Sequence, residues 1–318
     1  MRPHACSRGL AIALVATGLV RGDSTGLRAH AQEPAPPPPP AESQAPSGPR
    51  FFAVGDTGTG EPDQFKVASA IFQKCAASGC DFGLLLGDNF YPDGVASADD
   101  PQWKTKFEQP YAEILAAGIP FYAVLGNHDY ADNKDWSRGA HQIAYGQANP
   151  AWRMPAEHYS FESGNASFLA LDTSPIEAGV GDAEGVQGKR AREWASSRAR
   201  PWLIAFGHHP YLSNGTNGNA GRRVSRFVEE RLCGKADLYF AGHDHNLQLL
   251  KPSRACATTL HVVSGGGGYA TYSLPGGNPA LFQTQARGFV YVAVEGARLT
   301  LEVVSADGAV LYTHTLAK

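Results

Sequence analysis

A short apolar run, Phe82-Gly83-Leu84-Leu85-Leu86, stops abruptly at Gly87-Asp88-Asn89-Phe90-Tyr91. Such a run reads as a buried strand. Its end delivers a carboxylate to the carboxyl edge of a sheet, where α/β folds bind ligands. Taken alone, Gly-Asp-Asn is also ordinary turn chemistry. The pattern recurs, however. Apolar runs end in Gly55-Asp56-Thr57-Gly58, Gly126-Asn127-His128-Asp129, Gly207-His208-His209-Pro210 and Gly242-His243-Asp244-His245-Asn246. Five strand ends that each present a metal-ligand residue are poorly explained as five unrelated turns.

The segments between these ends set the fold class. Phe51 to Val54 is the first strand, and Phe65, Ala68, Ile71, Phe72 and Cys75 recur at helical spacing within a helix over 63–77. With the strand at 82–86 this makes strand–helix–strand, the unit of a parallel sheet. A helical region over 103–116 leads to a strand at 121–125, and 136–152 reads as an irregular, aromatic-rich wall over the site. A hairpin over 158–161 and 167–171 follows, then a polar loop over 176–188 and an exposed helix over 189–197. Strands at 202–206 and 238–241 flank a helix over 224–232. The run Val262-Val263-Ser264 enters four glycines, Gly265 to Gly268, where the backbone must pass close to something. Alternating strands at 290–294, 299–304 and 310–315 finish the chain. The expectation is an α/β protein with two stacked mixed sheets and helices outside.

Among the 318 residues, 43% are hydrophobic and the net charge is −3, with no basic run. Nothing here favours nucleic acid or an anionic membrane as a partner. Arg2 and Arg8 flank an apolar segment, Leu10 to Val20, that is too short to span a bilayer and resembles a signal-peptide core. Ala29-His30-Ala31 offers a cleavage site, so 1–31 is read as a signal peptide, with a disordered tail as the alternative. The proline-rich 32–49 is a linker and 50–318 the folded domain, exported to a secreted or periplasmic location. Cys6 leaves with the signal. Cys75, Cys80, Cys233 and Cys256 allow three pairings, of which proximity favours Cys75–Cys80 and Cys233–Cys256; four free buried thiols are the alternative.

Asp56, Asp88, Tyr91, Asn127, His208, His243 and His245 are the candidate metal ligands. Seven side chains exceed the needs of one zinc and suit two ions sharing a bridging carboxylate. The order Gly-Asp-x-Gly, Gly-Asp-x-x-Tyr, Gly-Asn-His-Asp, Gly-His-x-Pro and Gly-His-x-His resembles the metallophosphoesterases. Within them it is most similar to the purple acid phosphatases of the small, tartrate-resistant type. The likeness runs from Phe51 to about Leu316. It implies a four-layer α/β/β/α sandwich of two mixed sheets, the metallo-dependent phosphatase fold. It also implies Asp56, Tyr91 and His245 on a ferric ion, Asn127, His208 and His243 on a divalent ion (Fe, Zn or Mn), and Asp88 between them. The chemistry agrees. Gly58 stands where most of the superfamily carries a histidine, and Tyr91 fills the vacancy with a hard anionic phenolate that favours a trivalent ion. Five positive charges against two carboxylates, a phenolate and a hydroxide leave a site suited to a phosphate ester. The implied reaction is attack of a metal-bound hydroxide on a phosphate monoester or an anhydride.

His128 is read as the catalytic histidine that meets the phosphoryl or leaving oxygen, with Asp129 as its orienting partner. The family usually supplies a second substrate histidine after Gly-His-x-Pro. Here Tyr211 to Gly221 contains Asn214, Asn217 and Asn219 but no histidine, and Asn217 is carried as a substrate-side candidate. His209 either lines the site or packs. His158, His261 and His314 fall in strands and read as structural. The expected partner is a small phosphorylated substrate, and a monomer is favoured. Two rivals stand beside a phosphomonoesterase. One is a phosphodiesterase or nucleotide hydrolase using Zn or Mn; the other is a catalytically weak phosphate-binding protein.

Overall fold

The first apolar runs pair side by side. In the computed structural model, which describes residue 18 and residues 47–181, 184–197 and 200–318, the parallel set is β1 (Ser47–Val54), β2 (Phe82–Leu86), β3 (Phe121–Val124) and β4 (Trp152–Arg153). Between them run α1 (Pro62–Ser78), a π-helical turn at Lys104–Glu108, α2 (Ala112–Ala116) and α3 (Gly139–Ala148). β2 is buried along its whole length, so its sequence shows no polar alternation. The chain then builds a second sheet. Its elements are β5 (Tyr159–Ser163), β6 (Ala166–Ala170), α4 (Ser174–Ala178), α5 (Val186–Ser197), β7 (Trp202–Phe206), α6 (Arg222–Arg231), β8 (Leu238–Ala241), β9 (Leu247–Leu250), β10 (Leu260–Ser264) and β11 (Ala280–Thr284). The antiparallel finish, β12 (Gly288–Glu295), β13 (Arg298–Ser305) and β14 (Val310–Ala317), returns to the first sheet, where β12 pairs with β1. The two seven-stranded orders are β14-β13-β12-β1-β2-β3-β4 and β11-β9-β10-β8-β7-β6-β5.

Alternation along β1 divides the core. Phe51 faces the other sheet and meets Phe168 and Phe240 edge-on at 5.3 and 6.1 Å. Phe52 points the opposite way, onto Phe121, which packs in turn on Phe107 of the π-helical turn. On the outer face of the second sheet, Ile176, Trp194, Val224 and Phe227 from α4, α5 and α6 cover Leu169, Leu203 and Tyr239. Sheets inside and helices outside make the expected α/β/β/α sandwich. Both expected disulfides, Cys75–Cys80 and Cys233–Cys256, are formed.

Several boundaries differ from the sequence reading. β1 begins at Ser47 and takes in residues assigned to the linker; Pro49 lies where the β1–β12 register shifts, a place that needs no ladder N–H from it. The supposed irregular wall contains α3. Gly139 and Gly146 weaken its helical signal, yet Tyr145 stacks on Trp103 at 3.5 Å and holds it, tertiary packing overriding propensity. The polar loop over 176–188 gives up its ends to α4 and α5. The signal segment 1–31, Cys6 and linker residues 32–46 lie outside the described residues apart from Gly18. Among the described residues, no helix is long and apolar enough to cross a membrane. Asn165-Ala166-Ser167 and Asn214-Gly215-Thr216 match the glycosylation triplet, and both asparagines are buried and donate to Gly296 O and Asn278 O.

His261 on β10 has a structural role with a thermodynamic signature. It is 1% exposed, neither ring nitrogen has a hydrogen-bond partner, and the rings of Tyr211 and Tyr239 lie 4.8 and 6.3 Å away. Burial lowers its pKa to about 4 from the usual 6.5. The unfolded chain therefore takes up this proton first as pH falls, so the site's contribution to stability is complete above 6.5 and lost toward 4. The loss amounts to about 3 kcal/mol. The unfolding free energies of wild type and His261→Phe from urea denaturation, compared at pH 7 and pH 4, should diverge by an amount of that order. A constant gap would mean that His261 does not stay neutral in the fold.

Candidate metal centre

β1, β2, β3, β7 and β8 all end at one edge, and the five turns that follow hold the seven candidate ligands. Three of these residues adopt the left-handed backbone region: Asp56 (φ 60°), Asp88 (φ 52°) and His243 (φ 68°). Conformations of that kind cost free energy and persist only where surroundings impose them. Here the turns are locked to one another. Asp56 N donates to Gly87 O at 3.0 Å, and His243 N donates to Asp56 Oδ2 at 2.9 Å. Gly126 has to be glycine, because a Cβ there would stand 2.1 Å from Asp88 Oδ1.

Backbone N–H groups hold both carboxylates. His243 N is shared between the two oxygens of Asp56, at 2.9 Å from Oδ2 and 3.1 Å from Oδ1, and Asp88 Oδ1 accepts from His128 N at 2.9 Å. Asp56 Oδ1 and Asp88 Oδ2 also face inward. The histidines are set in the same manner. His208 Nδ1 donates to Leu86 O (2.9 Å) and His245 Nδ1 to Ala270 O (2.8 Å), which leaves both Nε2 lone pairs facing the cluster. The inward atoms fall into two groups. Tyr91 Oη lies 3.2 Å from Asp56 Oδ1, 3.2 Å from His245 Nε2 and 3.0 Å from Asp88 Oδ2. His208 Nε2 lies 3.1 Å from Asn127 Oδ1, 3.1 Å from His243 Nδ1 and 3.4 Å from Asp88 Oδ2. Asp88 Oδ2 is common to both. Donors at adjacent corners around a cation with bonds of about 2.1 Å stand roughly 3 Å apart, so both groups fit a metal ion.

Gly58 and Tyr91 are coupled sterically. A Cβ at position 58 would come within 1.9 Å of Asn89 O, in the backbone that carries Tyr91 into place, and Tyr91 N donates to Gly58 O at 2.9 Å. No side chain at 58 coexists with this path. Lys106 Nζ donates to Tyr91 O and holds the same turn from outside.

Charge in the cluster is strongly coupled. Burial works to raise the Asp88 carboxyl, but His208, His128 and His243 around it hold it below the usual carboxylate range. Burial works to lower His208, yet the Asp88 carboxylate outweighs it and lifts the imidazole to about 9. Tyr91 is pushed far up by burial and by Asp88 and Asp56. A phenolate here requires positive charge placed beside it, which the donor set is arranged to accept.

The remaining sequence candidates divide differently. His128 is half-buried at the rim, its ring 4.6 Å from that of Tyr91, and its Nδ1 donates to Pro92 O at 2.7 Å. Asp129 is not its partner. The Asp129 carboxylate is fully buried and accepts from Asn89 N, Phe90 N, Gly126 N and Gln142 Nε2, because the 3₁₀ turn His128–Tyr130 sends adjacent side chains in different directions. His209 packs under the centre, its Nδ1 2.9 Å from Thr173 Oγ1 and its ring 4.6 Å from that of His243; burial and the neighbouring histidines press its pKa well down. Asn217 donates through Nδ2 to His243 O, and its backbone N donates to Asp244 Oδ1, so its amide braces the ligand loop. Sequence reading missed Tyr269 and Tyr272. Tyr272 stacks on His245 at 3.9 Å and Tyr269 on Tyr91 at 4.3 Å. Their signal was the glycine run before them, which packs on the β1 turn through Gly267 N to Gly55 O at 3.1 Å.

The sequence profile of the calcineurin-like phosphoesterases matches residues 49–247. Tartrate-resistant acid phosphatase type 5 of Sus scrofa is 27% identical over 302 residues, covering 84% of this chain and 86% of that protein. Two solved structures share the fold. One, described as GAP50, the anchor in the inner membrane complex of Plasmodium, has a TM-score of 0.71 at 23% identity, over 85% of this chain and 89% of that one. The other, a purple acid phosphatase from yellow lupin seeds, has a TM-score of 0.66 at 21% identity, over 85% and 54%. One fold thus serves proteins described as an anchor and as a phosphatase, and activity has to be argued from the site.

The position of Asp129 yields a stability test. Asp129→Ala would leave three buried backbone N–H groups and Gln142 without their acceptor, at a cost of about 3 kcal/mol in urea denaturation. A loss below about 0.5 kcal/mol, the level of a surface change, would return Asp129 to the role of a dispensable neighbour of His128.

Proposed function

The chain belongs to the calcineurin-like phosphoesterase family, and from that premise we propose that it is a dinuclear-metal phosphatase of the purple acid type, hydrolysing small phosphate monoesters. The observation that carries this reading is the division of the inward donors into two groups that share Asp88 Oδ2. Asp56, Tyr91 and His245 would hold a ferric ion, Asn127, His208 and His243 a divalent iron, zinc or manganese, and Asp88 both. The ions would supply Lewis acidity and a water nucleophile at moderate pH.

The chain's own groups supply the rest. The N–H of His128 fixes Asp88, and its ring stands at the rim with Nδ1 committed to Pro92 O. That leaves Nε2 to hold a phosphoryl oxygen or to pass a proton to the departing oxygen. Asn217, Asp244 and Ser213 stiffen the loop that carries His243 and His245. The resemblance to proteins named acid phosphatases favours monoesters over diesters. The two disulfides favour an oxidising compartment, so we place the enzyme outside the cytosol, secreted or periplasmic, acting as a monomer on soluble phosphorylated substrates.

Metal analysis joined to a visible spectrum tests the centre. The oxidised protein should hold iron and absorb through tyrosinate-to-iron charge transfer, and Tyr91→Phe should lose the band. A colourless protein with two zinc ions would overturn the ferric assignment. The role of His128 is read from two substrates. General-acid help is worth about 10²–10⁴-fold and matters little when a nitrophenolate leaves. His128→Ala should therefore slow an alkyl phosphate far more than nitrophenyl phosphate. Equal losses would make His128 a phosphate-positioning group.

A further inference from the structure

Asn127 and His208 face each other across the cluster but arrive from different sheets. Asn127 follows β3 in the first sheet, His208 follows β7 in the second, and Asn127 Oδ1 lies 3.1 Å from His208 Nε2. With His208 Nδ1 donating to Leu86 O, both facing atoms carry lone pairs and repel. Their spacing has to be set from outside the cluster. The end of β6 does this. It lies beside β7, Leu171 N donating to Phe206 O at 2.9 Å, and the next two residues, Asp172 and Thr173, are buried. Thr173 grips the His208 side. Its Oγ1 accepts from His208 N at 3.2 Å and from His209 N at 3.0 Å, and lies 2.9 Å from His209 Nδ1. With both lone pairs taken, its one proton goes to His209 Nδ1, so the hydroxyl is used to its full capacity. The carbonyls of the same two histidines are held as well, His209 O by Tyr239 Oη at 2.8 Å and His208 O by Gly242 N at 3.0 Å.

Asp172 grips the Asn127 side. Its Oδ2 accepts from Tyr130 Oη at 2.6 Å, and Tyr130 closes the turn that starts at Asn127, its N donating to Asn127 O at 3.2 Å. Gln187 of α5 fixes the Asp172 backbone in turn. Asp172 N donates to Gln187 Oε1 at 2.8 Å, and Gln187 Nε2 donates to Asp172 O at 3.1 Å. Burying a carboxylate against a neutral hydroxyl is unfavourable as a mere join between sheets that already share an aromatic core. That argues for a role at the site. The other group of donors is supported from elsewhere: His245 Nδ1 donates to Ala270 O, Tyr91 N donates to Gly58 O, and Lys106 Nζ donates to Tyr91 O. Adjacent residues thus hold the Asn127 turn and the His208 turn, and the contacts that fix Tyr91 and His245 are separate from them.

We propose that Asp172 and Thr173 are positioning residues that set the separation of Asn127 and His208, so that retention of the divalent ion depends on them and retention of the ferric ion does not; the proposal rests on the two-ion phosphatase reading above. Thr173 acts on His208 directly, and Asp172 acts on Asn127 through Tyr130.

The test follows the two ions separately in the metal-loaded protein, using Tyr130→Phe, Thr173→Val and Thr173→Ser. Each variant is dialysed against graded chelator. Elemental analysis then gives the divalent ion and the iron retained, and the visible band reports the ferric half. Removing a group that orients a metal ligand weakens metal binding about 10- to 100-fold. Tyr130→Phe and Thr173→Val should each lose the divalent ion at a chelator concentration about 10-fold lower than wild type or less, with iron and the band kept. Thr173→Ser, which restores the hydroxyl, should match wild type. Both ions lost together overturns the proposal, as does a divalent ion retained as in wild type by either Tyr130→Phe or Thr173→Val, or a Thr173→Ser that behaves like Thr173→Val. If the wild type holds two zinc ions instead, loss of one equivalent of the two supports the proposal and loss of both overturns it. The phosphatase reading fails separately, if the wild type holds both ions yet cleaves no phosphate ester; the retention ratio then still decides for or against Asp172 and Thr173. A wild type that holds no metal overturns both.

Discussion

A carboxylate has two oxygens, and the centre of this protein depends on keeping them apart. At Asp88, one oxygen is held by the His128 N–H and the other is turned inward, while at Asp56 the His243 N–H spans both oxygens and Oδ1 also meets Tyr91 Oη. The same division governs His208 and His245, where a backbone carbonyl fixes one ring nitrogen and leaves the other to the cluster. Backbone groups thus orient four of the ligands, Asp56, Asp88, His208 and His245. The sheets, by ending five strands at one edge, determine the backbone. The left-handed turns at Asp56, Asp88 and His243 are part of the same arrangement, since an extended path would carry these side chains past the centre.

Support for that geometry comes from groups that never face the cluster. The Asp129 carboxylate ties the turn after β2 to the turn after β3 through three backbone N–H groups, with Gln142 of α3 as a fourth donor. Burial and the nearby Asp88 raise its pKa to about 7 even though these donors pull it down, so desolvation and repulsion outweigh them. On the other side, the amides of 211–221 brace the turn that carries His243. Ligands borne on loops are usually mobile. These loops are clamped by buried polar networks, which keeps repelling donor atoms about 3 Å apart.

What could be read from the sequence follows from how local each feature is. An apolar run closed by Gly-Asp or Gly-His states its own strand, its end and its ligand within about eight residues, so Asp56, Asp88, Asn127, His208 and His243 were legible as strand-end residues, and their meeting at one edge followed from parallel pairing. The disulfides were legible because Cys75 and Cys80 are close in sequence and Cys233 and Cys256 flank one short strand–turn–strand unit, β8 and β9. The helix at 139–148 was hidden by its two glycines, and its stability comes from Trp103 and Asp129, both distant in sequence. Asp129 beside His128, and Asn217 in a loop facing the centre, looked like substrate groups; only three dimensions reveal that both point into scaffolding. The glycines at 265–268 announced a close approach, but not that Tyr269 would be mounted on it.

The return of β12 to the side of β1 has a consequence for how the chain comes to exist. β1 sits in the middle of its sheet, with Phe51 opposite Val292 on one side and Phe82 on the other. The strand that opens the domain therefore cannot complete its hydrogen bonding until residues near 290 are available, and a contact of such sequence separation makes for slow closure. A ribosome-bound chain would hold β1 half-paired, with the aromatic face of Phe51 uncovered until Phe168 and Phe240 arrive. Native structure is thus deferred until nearly the whole chain has been made.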